Sequence, residues 1–203
     1  MADFRLRVTY AETGRLVMLS HLEIARALER AVRRAGLPYA VSQGFSPHMK
    51  QAFGSALPVG VGGLEEIFDV SLTDYVPPEE ALARLRASSA PDLMPHAARY
   101  ITKDETAASA AYPRSTYEAL LEASRSGDGE MDVLAVAHEL SLPSEITVVR
   151  KKKERVLVPS EFVVGELEVE PAEPGEEGQS RALVRFTLES KASGSLRPDV
   201  LLE

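Results

Sequence analysis

The stretch FRLRVTYAETGRLVMLSHLEIARALERAVRRAGLP, residues 4–38, predicts a strand followed at once by a helix. In FRLRVTY, residues 4–10, apolar and polar side chains alternate, which is the period of a strand with one buried face. Ser20 and Glu23 have the spacing of a capping box at a helix start, and Gly36 is a typical helix end. Because both elements are amphipathic, the helix is expected to lie on a sheet that contains the strand.

The chain continues with further elements of the same kinds. Residues 38–43 are predicted as a short strand, 65–72 as an alternating strand, 77–88 as a helix and 92–101 as a last strand. Residues 51–63, which glycine and proline interrupt, are predicted as a bulged strand and loop. The order of strand, helix, strand, strand, helix, strand is that of the split βαβ or ferredoxin-like arrangement.

The second half predicts a weaker version of this order. Residues 102–115 are small, polar and aperiodic, so they are predicted as a linker. Strand and helix patterns follow over 116–203, interrupted by an acidic segment rich in proline and glycine at 170–180. The predicted fold class is therefore α+β, with two ferredoxin-like units in tandem. The first domain covers 1–101, and the second, less regular domain covers 116–203 and could be incomplete.

Composition and charge limit the possible functions. The chain has 203 residues, no cysteine and a formal net charge of -8. The absence of cysteine excludes disulfides, thiolate catalysis, Cys-bound zinc and an iron–sulfur cluster held by this chain. Residues 1–100 carry 11 basic and 11 acidic side chains, while residues 101–203 carry 12 and 20. The overall acidity argues against indiscriminate binding to nucleic acids or membranes, although the neutral first half leaves room for a local basic surface.

The sequence contains none of the common cofactor-binding motifs and no signal-peptide pattern. The sequence has no Walker loop, dinucleotide fingerprint or HExxH pattern, and His96 and His138 have no carboxylate or histidine partners at metal-ligand spacing. We therefore predict neither a metal ion nor a cofactor. Because the strand pattern starts at Phe4, no apolar segment of a signal peptide precedes it, and a cytoplasmic location without a membrane partner is expected.

The loop VSQGFSPHMK, residues 41–50, is the first candidate site. Its glycine and proline constrain a segment that could present backbone N–H groups and a cation to phosphate, and an aromatic ring to a base. A histidine and a lysine are also a common pair in proton-transferring sites. Turn chemistry alone could explain the same composition. The candidate RNA-contacting residues here are Ser42, Gln43, Phe45, Ser46, His48 and Lys50.

The first helix supplies the other candidates. Arg26, Arg30 and Arg33 fall opposite its apolar face, where they could contact phosphates. His21 is predicted at the first helical position, beside unpaired N–H groups that favour a bound anion such as phosphate. It could equally be a structural residue at the helix start. His48 and His21 are the candidate catalytic residues.

Three segments together resemble a known family. LSHLE, SQGFSPHMK and LPVGV, the last followed by EEIFD, resemble the motifs of the radical-SAM-linked domain family of bacteria, in which an LSHLD helix, a YSQGFNPHPK loop and an LPLGV strand recur. The resemblance implies a domain that occurs alone or fused behind a radical-SAM enzyme module. Since this chain has no cysteine, it would be the part without the cluster, and a radical-SAM enzyme is a possible partner.

These observations leave three functional hypotheses. The first is an RNA-binding accessory module that holds tRNA or rRNA for a separate RNA-modifying enzyme. The second is a metal-free RNA-processing enzyme, with His48 or His21 as general acid or base and Lys50 stabilising charge on phosphate. The third is a protein–protein docking module that uses the acidic second half. We favour the first hypothesis.

Overall fold

The computed structural model describes residues 4–122, 132–150, 153–175, 179–191 and 194–202. The chain divides into two compact units, Met1–Tyr112 and Pro113–Glu203. Each unit has its own hydrophobic core. No helix of the described residues is long and apolar enough to cross a membrane.

The first unit is built on a four-stranded antiparallel sheet with its two long helices on one face. Its strands lie in the order β2-β3-β1-β4, so the two long strands β1 and β3 are central. The strands are β1 (Phe4–Glu12), β2 (Gln51–Phe53), β3 (Gly63–Leu72) and β4 (Leu93–Ile101). The helices are α1 (His21–Arg34), α2 (Pro78–Ser88) and the short α3 (Ala108–Ala111), and a 3-10 helix covers Gly14–Met18.

Strand alternation produces the core of this unit. Leu6 and Val8 of β1 are completely buried and pack with Ile24 and Leu28 of α1, as the opening stretch of the sequence predicts. The start of α1 is also confirmed, because the Ser20 backbone N–H donates to Glu23 Oε2 over 2.8 Å. This helix-side face of the sheet is thus closed by apolar packing.

The opposite face of the sheet, here called the outer face, carries a buried ion pair. The Arg7 guanidinium donates to both oxygens of Asp69, with distances of 2.7 Å and 3.0 Å. Arg7 also donates to the Thr106 carbonyl over 2.7 Å, and the Ala108 N–H donates to Asp69 over 2.8 Å. The first two hydrogen bonds join β1 to β3, and the last two hold the segment after β4 against the outer face.

The short strand predicted at residues 38–43 is wrong. This segment makes isolated bridges instead, from Tyr39 to Leu72 and from Val41 to Met49. The reason is that residues 40–42 pair with the returning residues 48–50 at the base of a loop, so the segment touches the edge of β3 over residues 38–40 without running along it. The strand that pairs with β3 begins at Gln51, inside the range predicted as bulged strand and loop.

The described residues of the second unit form two separate antiparallel sheets. One has the order β5-β9-β8 and the other is the hairpin β6-β7. Apolar residues of β9, among them Val184 and Phe186, form its core with Val133 and Ala137 of α4. The strands are β5 (Arg114–Glu122), β6 (Ile146–Arg150), β7 (Lys153–Leu157), β8 (Val163–Pro171) and β9 (Arg181–Glu189), and the helices are α4 (Val133–His138) and α5 (Pro198–Leu202).

A mixed architecture of antiparallel sheets and helices is therefore confirmed, while the prediction of two ferredoxin-like units in tandem is not. In the second unit the strands divide between a three-stranded sheet and a two-stranded hairpin. The range 102–115, predicted as a linker, contributes α3 and the contacts to Asp69 in the first unit, and β5 begins at Arg114.

Candidate nucleic-acid interface

The loop at residues 42–48 has a hydrogen-bonded base. The Ser42 N–H donates to the His48 carbonyl over 2.7 Å, and the His48 N–H donates to Ser42 Oγ over 3.0 Å. Next to this base, Met49 is buried in the core of the first unit. Gly44 has a φ of 140°, a backbone conformation that glycine adopts without strain. The loop therefore projects from a fixed base with a defined turn.

Phe45 is the most exposed hydrophobic side chain of the described residues. Its relative exposure is 112%, so its whole ring faces solvent at the projecting loop. Gln43, Ser46 and His48 are also exposed, while Ser42 is partly buried through its role at the loop base. The candidate residues that the sequence predicts between 42 and 48 thus lie together on this loop, and most of them are exposed.

Lys50 connects this loop to a cleft on the outer face of the sheet. The cleft has a volume of about 590 Å³ and lies between β1, β2, β3 and the segment that follows β4. Its lining residues are Arg5, Lys50, Gln51, Ala52, Asp69, Ser71, Lys103, Glu105 and Ala107. The three lining cations exceed the two lining carboxylates by one.

Both carboxylates of the cleft are hydrogen-bonded within the protein. Asp69 is held by Arg7, and this bond raises the pKa of the Arg7 guanidinium. Glu105 accepts from the Thr102 N–H over 2.9 Å and from Arg99 over 2.8 Å, and these bonds lower its pKa. Asp69 and Glu105 are therefore already bound by groups of the protein, and the lining residues carry one more positive than negative charge. Such a cleft suits a phosphate-bearing ligand.

The arginines predicted on α1 lie away from this cleft. Arg26 and Arg30 are exposed on the helix, which packs on the helix-side face of the sheet, whereas the cleft opens on the outer face. Arg33 is engaged within the unit, because it donates to Glu29 over 2.6 Å and to the Tyr39 hydroxyl over 2.9 Å. The structure does not bring these arginines and the cleft onto one surface.

The two candidate catalytic histidines have different surroundings. His21 is partly buried at the start of α1, where its ring meets Phe53 edge-on with a centroid distance of 5.5 Å. His48 is exposed on the loop. Within the described ranges neither ring is hydrogen-bonded to a carboxylate. No group of three or more metal-ligating side chains suited to a metal ion occurs among these residues.

Sequence reasoning missed Arg5 and Lys103 as lining residues of the cleft. Arg5 donates to the carbonyls of Thr102 and Glu105, each over 3.4 Å, so it joins β1 to the segment that carries Lys103. The alternation of β1 places Arg5 on the outer face, but nothing local in the sequence indicates which distant residues meet it there.

A family model described as an uncharacterized protein conserved in bacteria (DUF2344) matches residues 5–198. The chain belongs to this family. No curated protein matches it. A crystal structure titled as that of an unknown protein from Galdieria sulphuraria is similar to 92% of this chain and 82% of that chain, with 12% identity and a TM-score of 0.29. A likeness at that TM-score does not define the fold.

Proposed function

We propose that this DUF2344 protein is an RNA-binding module that holds single-stranded segments of tRNA or rRNA for a separate RNA-modifying enzyme. One observation carries the proposal. The fully exposed ring of Phe45 lies on a rigidly based loop that leads through Lys50 into a cationic cleft. An aromatic platform beside a positively charged groove is the combination that sequence-tolerant proteins use for single strands.

The two parts of this surface act on different parts of the ligand. Lys50 and Lys103 attract phosphates, and the counterions released on binding make the affinity salt-dependent. Phe45 offers a flat apolar face to one unstacked base, which single-stranded RNA presents and duplex RNA does not. The predicted interface thus consists of the loop and the cleft, without the arginines of α1.

A radical-SAM enzyme is the partner that we propose on the basis of the sequence resemblance. A chain without cysteine needs such a partner for cluster chemistry, since thiolates hold these clusters. We also infer a ferredoxin-like fold for the first unit. The element order of β1, α1, β2, β3, α2 and β4 and the sheet order β2-β3-β1-β4 support this inference.

Removal of the two cleft lysines tests the electrostatic part of the proposal. We expect the wild-type protein to bind a fluorescent single-stranded RNA of about 12 nucleotides, and binding to weaken between about 50 and about 200 mM salt. The variant with Lys50→Ala and Lys103→Ala is expected to bind more weakly, with a slope of log affinity against log salt reduced by about 1.4. Fluorescence anisotropy over a salt series measures both quantities.

Lys191→Ala is the matched control for this double variant. Lys191 is an exposed lysine that does not line the cleft, so its removal lowers the net charge by one without altering the lining. An equal loss of affinity in this control, or no RNA binding by the wild type at low salt, would contradict the proposal. The bound RNA is also inspected for new ends, which would favour the enzyme hypothesis with His48 or His21.

Phe45→Ala tests the stacking part separately. Stacking of one base on an aromatic side chain contributes about 1–3 kcal/mol, so the dissociation constant is expected to rise roughly 5- to 150-fold. The salt slope should stay unchanged because no cation is removed. Phe45→Tyr keeps the ring and is expected to bind as the wild type does. Unchanged affinity of the alanine variant would show that Phe45 does not contact the RNA.

A further inference from the structure

A row of polar side chains crosses three neighbouring parts of the chain on the floor of the cleft. Arg5 of β1 lies directly opposite Ser71 of β3. Lys50 lies on the other side of Ser71, because the Ser71 N–H donates to the Lys50 carbonyl over 3.0 Å. Residues opposite each other in an antiparallel pair have Cβ atoms about 5 Å apart. All three residues line the cleft, so their side chains are neighbours there.

The hydroxyl group in the middle of this row is available to a ligand. Ser71 belongs to the outer face, because its neighbours Val70 and Leu72 are completely buried in the core on the helix side. Ser71 is partly exposed, and within the part of the chain that the structure describes its hydroxyl makes no hydrogen bond. The row therefore offers a hydroxyl donor between a guanidinium and an ammonium group.

The Arg5 guanidinium has only long hydrogen bonds within the protein. It donates to the carbonyls of Thr102 and Glu105 over 3.4 Å each and to Asp69 over 3.5 Å. These distances exceed the usual range for N–H···O bonds, whereas the Arg7 guanidinium donates to the same Asp69 over 2.7 Å. The donors of Arg5 can therefore turn to a stronger acceptor without breaking a short bond.

The segment after β4 forms one wall of the cleft. It crosses the outer face, because its carbonyls accept from Arg5 of β1 and its Ala108 N–H donates to Asp69 of β3. The same segment brings Lys103 to the cleft. A strand that enters from the loop at residues 42–48 meets this wall, so the arrangement favours the end of a strand over one that continues across the sheet.

We propose that Arg5, Ser71 and Lys50 bind a phosphate monoester, with Lys103 as a further cation. A monoester has three terminal oxygens and a charge of about −1.5 to −2 at neutral pH, so it can accept from all three members of the row. A phosphate within a nucleic-acid backbone carries a single negative charge and is the poorer match. The phosphorylated end of an RNA strand and a free mononucleotide share this group. The assignment to an RNA end rests on the proposed function.

Competition among RNAs that differ only at their ends tests the site. Unlabelled single strands of one sequence, with a 5′-phosphate, a 3′-phosphate or only hydroxyl ends, displace a fluorescent single strand followed by anisotropy. We expect one phosphorylated strand to bind at least about tenfold more tightly than the hydroxyl-ended strand, the effect of one charge-assisted hydrogen bond. Adenosine monophosphate that binds as tightly as this strand would identify a free nucleotide as the source of the phosphate.

Ser71→Ala removes the central donor without changing the charge or the backbone pairing. It is expected to reduce the preference for the phosphorylated end about threefold or more. Arg5→Gln, which removes a charge from the row, should reduce it further and serves as a second variant. The control is Ser55→Ala, because Ser55 is exposed and does not line the cleft. Amide spectra of each variant report whether the first unit is folded.

The outcomes separate this inference from the proposed function. Equal affinity for all three RNAs, or a preference that Ser71→Ala leaves unchanged, would overturn the monoester site while RNA binding itself stands. Saturable amide shifts around Ser71 with adenosine monophosphate, together with no binding of any RNA, would retain the site and contradict the proposed function. No binding of either ligand would overturn both.

Discussion

Replacing Asp69 with alanine is expected to destabilise the first unit by about 3–5 kcal/mol. The side chains of Asp69 and Arg7 are 6% and 5% exposed and are joined by two hydrogen bonds. Removal of the carboxylate leaves the guanidinium charge buried without its partner, and the cost of such an unpaired charge dominates the effect. The Ala108 N–H also loses its acceptor.

Hydrogen exchange of amides in β1 and β3 measures this loss in the first unit alone, although the chain has two units. The control is Asp104→Ala, which removes an exposed carboxylate that has no hydrogen bond or ion pair among the described residues. Its effect is expected to stay within about 0.5 kcal/mol. If the two variants exchange alike, the ion pair does not stabilise the sheet.

A double variant separates the unpaired charge from the loss of packing. Arg7→Met combined with Asp69→Leu replaces the ion pair by apolar side chains of similar size. Such replacements often restore stability, so the double variant is expected to recover at least half of the loss caused by Asp69→Ala. The recovery is incomplete because Thr106 and Ala108 still lose their hydrogen-bond partners. Stability of the double variant below that of Asp69→Ala would contradict this explanation.

The same ion pair links stability to the candidate site. Arg7 and Asp69 hold residues 106 and 108 on the outer face, and the segment that they anchor contributes Lys103 to the cleft. Release of this segment would open one wall of the cleft. The proposed RNA interface therefore depends on a buried pair that the ligand itself does not need to touch.

Local sequence signals predicted the parts of the first unit that depend on neighbours in the chain. The capping interaction of Ser20 with Glu23 lies within one helical turn, and the alternation that buries Leu6 and Val8 is visible in seven residues. The strand predicted at 38–43 failed for a nonlocal reason. Its pattern fits a strand, but Ala40 donates to Ser71 at the edge of β3 just before the chain leaves the sheet.

The candidate site was predictable in the loop but not in the cleft. Gly44 and Phe45 stand in a short segment whose composition already suggests a constrained projection. The cleft instead joins Arg5 to Lys103, and only the pairing of β1 with β4 and the chain reversal after β4 bring them together. The proximity of Glu12 to Glu66 could not be predicted from the sequence either, because it depends on the pairing of β1 with β3.

Raising the pH through the range between the unfolded and folded pKa values of Glu66 is expected to destabilise the first unit by up to about 3 kcal/mol. The pKa of this carboxyl rises from its ordinary value of 4.5 to about 7 through burial and the charge of Glu12. Between these values the folded state keeps the proton that the unfolded state has lost. The folded state thus binds more protons, so stability is highest below pH 4.5 for this group and falls towards pH 7.

The other groups around Glu66 do not reverse this sign. On β1, Glu12 also has a raised pKa from burial, and Tyr10 stays neutral because burial raises its pKa. Glu65 faces His96, at 3.7 Å from its ring. Glu23 and Glu105 have lowered pKa values, so they stabilise the folded state at higher pH. The pH dependence of the unfolding free energy of the whole chain is therefore the sum of these opposing contributions.

Comparison of the wild type with Glu66→Gln isolates the contribution of this group. The amide variant cannot titrate, so the difference in unfolding free energy between the two proteins should change by up to about 3 kcal/mol across this pH range. Glu65→Gln should leave the wild-type slope intact. Parallel slopes for the wild type and Glu66→Gln would show that Glu66 titrates normally.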